Sequence, residues 1–420
     1  MQQLAHRDDA LERFNRLRVR EVEDWVDTAT FLARFQYSLQ PDEWIKLKMT
    51  YKREHSIELL EAVLPDPQAN KICSLVWTYD GKEDVNSIIP LLLGNCPELG
   101  SLEVNFKHHS AFDFVSSMLE RPSNKIKVLT LSRYAEGDLA RFFAALGQSQ
   151  VSALTFYNTD SAEFAQGLIE YLAKDLLVKL VVSMGHKQVP SEMIMSLTNC
   201  TRLVELDLDF CDFFQPTALT HLPKCITKLK LFCCTFIGGF DWSFLSGSNV
   251  RELDLRCVDD VDGNQLESTL AVYLKASGLD KLYVCQCGFV NETLAAMGIG
   301  LGRIKILSIC CWNDASTKLI FLTLQSPSCK MTVWLWNKSD MKSSINNHLV
   351  PALKHPNYNL AKLFLFADPP HEAAGKTVED RLYKRCALLA LLQGQRVRRL
   401  SSPLQRLPVD LLRLVGAMLI

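Results

Sequence analysis

The chain has 420 residues, 48% of them hydrophobic and 22% charged, with 46 Lys and Arg against 47 Asp and Glu. A net charge of -1 leaves no global field to draw it onto nucleic acid or an anionic membrane. The length allows two or three compact domains or one extended repeat array, and no apolar run reaches the roughly 18–20 residues of a membrane helix.

Residues 1–70 read as a charged helical segment ("DALERFNRLRVREVEDWVDTATFLARF"), expected to form an N-terminal cap. The opening lacks the apolar core of a signal peptide, so a cytoplasmic setting is expected, with the nucleus as a second option. The 14 cysteines are then expected to be thiols, serving as small apolar side chains.

Residues 71–370 rewrite one pattern about twelve times. "LVELDLDFCD" places Leu203, Leu206, Leu208 and Cys211 in alternation, and "ITKLKLFCCT" repeats it with Ile226, Leu229, Leu231 and Cys234. The central apolar position recurs at Leu75, Leu102, Leu129, Leu154, Leu180, Leu206, Leu229, Leu253, Leu282, Leu307, Val333 and Leu363, in steps of 23 to 30 residues. Alternation at period two predicts a strand in each copy. Between strands, "FDFVSSMLERP", "DLARFFAALGQ", "SAEFAQGLIEYLAKD", "QLESTLAVYLKASG" and "NETLAAMGIGLG" carry helical spacing, several with cap residues at their ends. Each strand–helix unit is half a core, completed by stacking on its neighbours. Residues 371–420 read as a helical segment ending in "LPVDLLRLVGAMLI".

This pattern resembles the leucine-rich repeats, and "NCPELGSLEV" from Asn95 and "NCTRLVELDLDFC" from Asn199 resemble their cysteine-containing subclass. The resemblance implies a curved α/β solenoid with a concave parallel sheet, convex helices and helical terminal caps. It implies no cofactor and no catalysis, and a concave face that binds a protein partner whose identity the sequence does not carry. The last segment (Leu407, Pro408, Leu411, Leu412, Val415) resembles the first helix of an F-box. That implies an alternative role, substrate recognition for a cullin-type ubiquitin ligase through its adaptor.

Two sets of residues compete for the binding role. Side chains between the leucines share the opposite face of the sheet. There Glu205, Lys228, Glu252 and Lys281 form one row, and Asp207, Lys230, Asp254 and Tyr283 the next. Acids alternate with bases, so lateral compensation worth on the order of 0.5 kcal/mol per exposed pair is one reading, and a charged docking strip is the other. In the last copies the same positions hold Trp334, Trp336, Phe364 and Phe366, with Tyr283 further back. Either the C-terminal segment covers these rings or they form a partner-binding patch.

No metal is expected: the cysteines recur at repeat spacing without a paired ligand set, and His108–His109 stands alone. "GIGLG" from Gly298 ends a helix before a strand, the reverse of a dinucleotide loop. "RRLS" gives Ser401 the spacing of a basophilic phosphorylation site.

Overall fold

A computed structural model of the chain describes residues 18–23, 43–50, 64, 70–79, 88–106, 111–131, 137–157, 161–213, 219, 222–237, 245, 248–260, 278–285, 304–310, 318–320, 322, 332–337 and 363–367. The chain divides into two compact units, the first holding Met1–Phe213 and His221–Ile226, the second Phe214–Thr220 and Thr227–Ile420.

In the first unit eight strands run parallel in sequence order: β1 (Arg18–Glu23), β2 (Glu43–Thr50), β3 (Ile72–Tyr79), β4 (Ser101–Phe106), β5 (Val128–Leu131), β6 (Ala153–Phe156), β7 (Lys179–Gln188) and β8 (Glu205–Phe213). Crossovers carry helices α1 (Ile89–Asn95), α2 (Ala111–Leu119), α3 (Leu139–Gln148), α4 (Ala162–Leu172) and α5 (Ser191–Leu197). In the second unit β9 (Lys228–Phe232), β11 (Glu252–Arg256), β13 (Lys281–Cys285), β14 (Ile306–Cys310), β15 (Thr332–Asn337) and β16 (Leu363–Ala367) are parallel in the same way. The two-residue strands β10 (Thr235–Phe236) and β12 (Asp259–Asp260) pair beside them.

The register is set by the repeat. Leu75, Leu102, Leu129, Leu154, Leu180 and Leu206 are laterally adjacent in the first unit. Leu229, Leu253, Leu282, Leu307, Val333 and Leu363 are adjacent in the second. A one-residue slip would turn the whole apolar row to the wrong face, so this register is strongly specified. Among those residues Leu75 to Leu307 are at most 1% exposed.

On the helical side of the first unit the core is aromatic. Trp77 meets Phe106 and Phe114 edge-on, at 5.1 and 5.5 Å between centroids, tying β3 and β4 to α2. Phe142 of α3 and Phe164 of α4 meet Phe156 of β6 at 6.0 and 4.6 Å. Edge-to-face rings add to plain area burial. Helix starts are fixed locally: Asp138 accepts from the Arg141 N–H at 2.9 Å, and Ser161 accepts from the Phe164 N–H at 2.9 Å.

Two recurring turns join helix to strand and end the strand. Before the strand a buried or half-buried polar side chain bridges the turn. Asn124 donates to the Leu119 carbonyl and accepts from the Ile126 N–H. Ser149 links Leu146 to Val151 in the same manner, and Ser248 links Leu245 to Val250. Cys233 and Cys257, just after β9 and β11, and Phe210 at the equivalent place within the longer β8, take left-handed φ values of 50°, 51° and 51°. The next residue (Cys211, Cys234 or Val258) is fully buried. The Cys211 thiol donates back to the Asp209 carbonyl at 3.3 Å, and that of Cys234 to Phe232 at 3.6 Å. A thiol suits this place because it is small, apolar and a weak donor.

Within residues 1–70, where a helical cap was expected, the described stretches Arg18–Glu23 and Glu43–Thr50 are the strands β1 and β2, which extend the parallel sheet; most of the segment lies outside the described residues. Ile45 and Leu47 alternate with lysines and are buried, so the period-two pattern and the available β3 edge outweigh the helix-favouring composition. The helices expected over "QLESTLAVYLKASG" and "NETLAAMGIGLG", and the segment 371–420, lie outside the described residues.

Glycines in the helices separate two environments. A β-carbon at Gly167 would overlap the Phe143 ring, whereas one at Gly94 meets nothing within 4 Å. Gly167→Ala is therefore expected to lower stability by about 1–3 kcal/mol, and Gly94→Ala to raise it by up to about 1 kcal/mol. Urea unfolding of the two variants beside wild type checks both signs.

Candidate functional site

The side chains that alternate with the core leucines form rows across each sheet. In the second unit Lys228, Glu252 and Lys281 are lateral neighbours, as are Lys230, Asp254 and Tyr283. The expected acid–base alternation is thus present on β9, β11 and β13. Lys281 Nζ donates to Glu252 Oε2 at 2.8 Å, across the two strands. That bond is the main cause that raises the Lys281 ammonium above its usual value.

Asp254 behaves differently. Its strongest partner is Arg256, two residues along the same strand, which donates through Nε at 2.8 Å and Nη2 at 2.7 Å. Residues i and i+2 of a strand share a face, so the guanidinium fork reaches both carboxylate oxygens. Arg256 does not figure among the expected charged residues, although its i+2 position was visible in "ELDLR". Burial pushes the Asp254 carboxyl up, while Arg256 and then Lys230 pull it down. Lys230 lies 5.5 Å from the centroid of the Phe232 ring, within cation–π range. Tyr283, half-buried beside Asp254, has its phenol raised by burial and by the acids Glu252 and Asp254.

Glu205 and Asp207 lie on β8 in the first unit. Glu205 pairs with Lys179 of β7 at 2.8 Å, a partner on the preceding strand that the row of lysines further on had overshadowed. The remaining positions on this face of β4 to β7 carry little charge: Ser101, Val128 and Ala153 in one row, Glu103, Thr130, Thr155 and Val181 in the next, with Ala153 and Val181 buried.

The aromatic set is brought into two adjacent rows by the backbone register of β13 to β16. Tyr283 pairs with Ser308, Ser308 with Trp334, and Trp334 with Phe364. Beside that row Cys310 pairs with Trp336, and Trp336 with Phe366. Strand spacing puts successive members about 4.8 Å apart. From β14 onward these two rows contain no charged residue: Ser308, Trp334 and Phe364, then Cys310, Trp336 and Phe366.

Among the described residues no three His, Cys, Asp or Glu gather as a metal site. Burial pushes the thiols of Cys96 and Cys200 up to about 12 and that of Cys73 to about 11, so these thiols are poor nucleophiles and ligands at neutral pH. His108, His109, Ser401, Leu407, Pro408, Leu411, Leu412 and Val415 lie outside the described residues, as does the glycine run from Gly298. No helix among the described residues is long and apolar enough to cross a membrane.

Neither the protein-family models nor the curated proteins contain a match to this chain. Among solved structures it is similar to a plant peptide hormone receptor, RGFR1 in complex with RGF2, at 11% identity and a TM-score of 0.36. The match covers 84% of this chain and 49% of that one, so the chain spans about half the receptor's length. A parallel sheet that gains one strand per repeat fits a leucine-rich-repeat-like fold.

The raised Asp254 carboxyl has a definite pH signature. The folded state holds that proton to higher pH than the unfolded chain, whose Asp titrates near about 3.9. Its contribution to stability is therefore lost as pH rises from that value through the raised one. Asp254→Asn removes the step, so variant minus wild-type stability is expected to increase between about pH 3 and pH 7. Urea midpoints across that range read it, and a difference that falls with pH contradicts the assignment.

Proposed function

We propose that the chain is a non-catalytic protein-interaction module built of cysteine-containing leucine-rich repeats, whose open sheet face receives a protein partner. The observation that carries this reading is the alignment of Tyr283, Trp334 and Phe364 in one row beside Trp336 and Phe366 in the next. Binding hot spots are enriched in Trp and Tyr and cluster in compact patches. The charged rows of β9, β11 and β13 suit the rim of such a patch. Their ion pairs are internally compensated, and exposed pairs add orientation more than affinity. A solenoid gives each repeat one or two lateral positions to vary without disturbing its core, which is how such scaffolds acquire partners.

The test is capture of partners from lysate by full-length chain, quantified by mass spectrometry, with Trp334→Ala/Trp336→Ala in parallel. Loss of two hot-spot residues worth about 2 kcal/mol or more is expected to cut recovery of the specific partner by about thirtyfold or more, with the melting temperature unchanged. Unchanged recovery rejects the patch. Collapse of the melting transition shows instead that the rings belong to the core.

A further inference from the structure

A second surface lies on the helical side of the first unit. Between α3 and α4 runs an open groove of about 870 Å³. It exists because the facing positions are small: Ala140 and Ala144 on α3, Ala162 and Gly167 on α4. Phe143 fills the space left by the missing Gly167 side chain and forms an apolar floor. The rim is acidic, with Asp138, Glu163 and Glu170 against Lys174.

We propose that this groove is a docking site for a basic amphipathic helix. Charge complementarity selects the occupant: three carboxylates to one ammonium around an apolar floor favour a ligand with cations flanking an apolar stripe. Lys174 lies over Gly147, where its ammonium and adjoining carbons take the space a side chain would occupy. A helix is about 10–12 Å across, so half-sinking one into this volume accommodates on the order of three turns. Small residues along both walls permit close helix approach. The site is on the helices and is independent of the sheet-face reading.

The probe is a fluorescein-labelled 14-residue peptide with leucine and alanine on one helical face and lysines along both flanks. Its twin carries glutamate at every lysine. Anisotropy titrations use the full chain. The basic peptide is expected to bind saturably and at least tenfold more tightly than its acidic twin. Ala144→Trp fills the groove from an exposed helix position and should weaken binding tenfold or more. Ala162→Trp, also exposed, is the second filling variant should the first disturb folding in a circular-dichroism melt. Glu163→Lys/Glu170→Lys should abolish the preference for the basic peptide. Trp334→Ala/Trp336→Ala should leave it unchanged, which separates this site from the sheet face. Absence of saturable binding, equal binding of both peptides, or affinity indifferent to a folded groove-filling variant overturns the proposal.

Discussion

Lateral pairing of parallel strands at one fixed register is the constraint on which the rest depends. No single repeat can bury its leucines alone: the strand has one apolar face, and its crossover is too short to enclose it. Each copy becomes stable only when its central leucine sits beside that of its neighbour, as Leu129 does between Leu102 and Leu154. Once that row is fixed, every other position in the repeat acquires a lateral neighbour of the same kind. Asn124, Ser149 and Ser248 then answer the same turn, and Cys211, Cys234 and Val258 the same strand exit. The regularity of small local solutions follows from one long-range pairing rule.

The strands were legible because the apolar alternation and its recurrence carry the same information twice. Three of the helices were legible as well, since "DLARFFAALGQ" and its equivalents show a helical stripe, and in α3 and α4 also a cap residue that the structure uses. Composition misled at the amino end. A run rich in Arg, Glu and Leu suggests helix in isolation, yet Ile45 and Leu47 needed only a partner edge to become β2. Propensity measures the isolated segment, whereas an adjacent strand offers a full ladder of hydrogen bonds. The site was legible to the level of rows and not of pairs. Row membership follows from register alone, but Arg256 reaching back to Asp254, and Lys179 reaching Glu205, depend on side-chain length and rotamer.

Those pairs separate charge from recognition on the sheet face. A carboxylate gripped by a bidentate guanidinium, as Asp254 is, has spent its strongest hydrogen-bonding capacity inside the protein. So has Glu252 with Lys281. Residues committed in this manner have little left to contribute as new affinity. Aromatic residues are not subject to that saturation. A ring gains from each additional apolar surface laid against it.

The same logic extends to the helical side, where the repeats differ in kind. Helices that pack through bulky side chains fill their own seams, as Phe112 and Phe142 do between α2 and α3 at 4.9 Å. Between α3 and α4, Phe143 packs on Phe164 at 5.5 Å and covers Gly167, but outside that contact the facing residues shrink to Ala140, Ala144 and Ala162, and there the seam is left open with carboxylates along it. Smaller residues there cost packing energy that leucine would have supplied. A stack of strand–helix repeats tolerates that local loss because its stability is summed over many neighbour interfaces. The array can therefore hold an under-filled seam at one repeat while its neighbours keep the register, a freedom a single-core globule of similar size does not have.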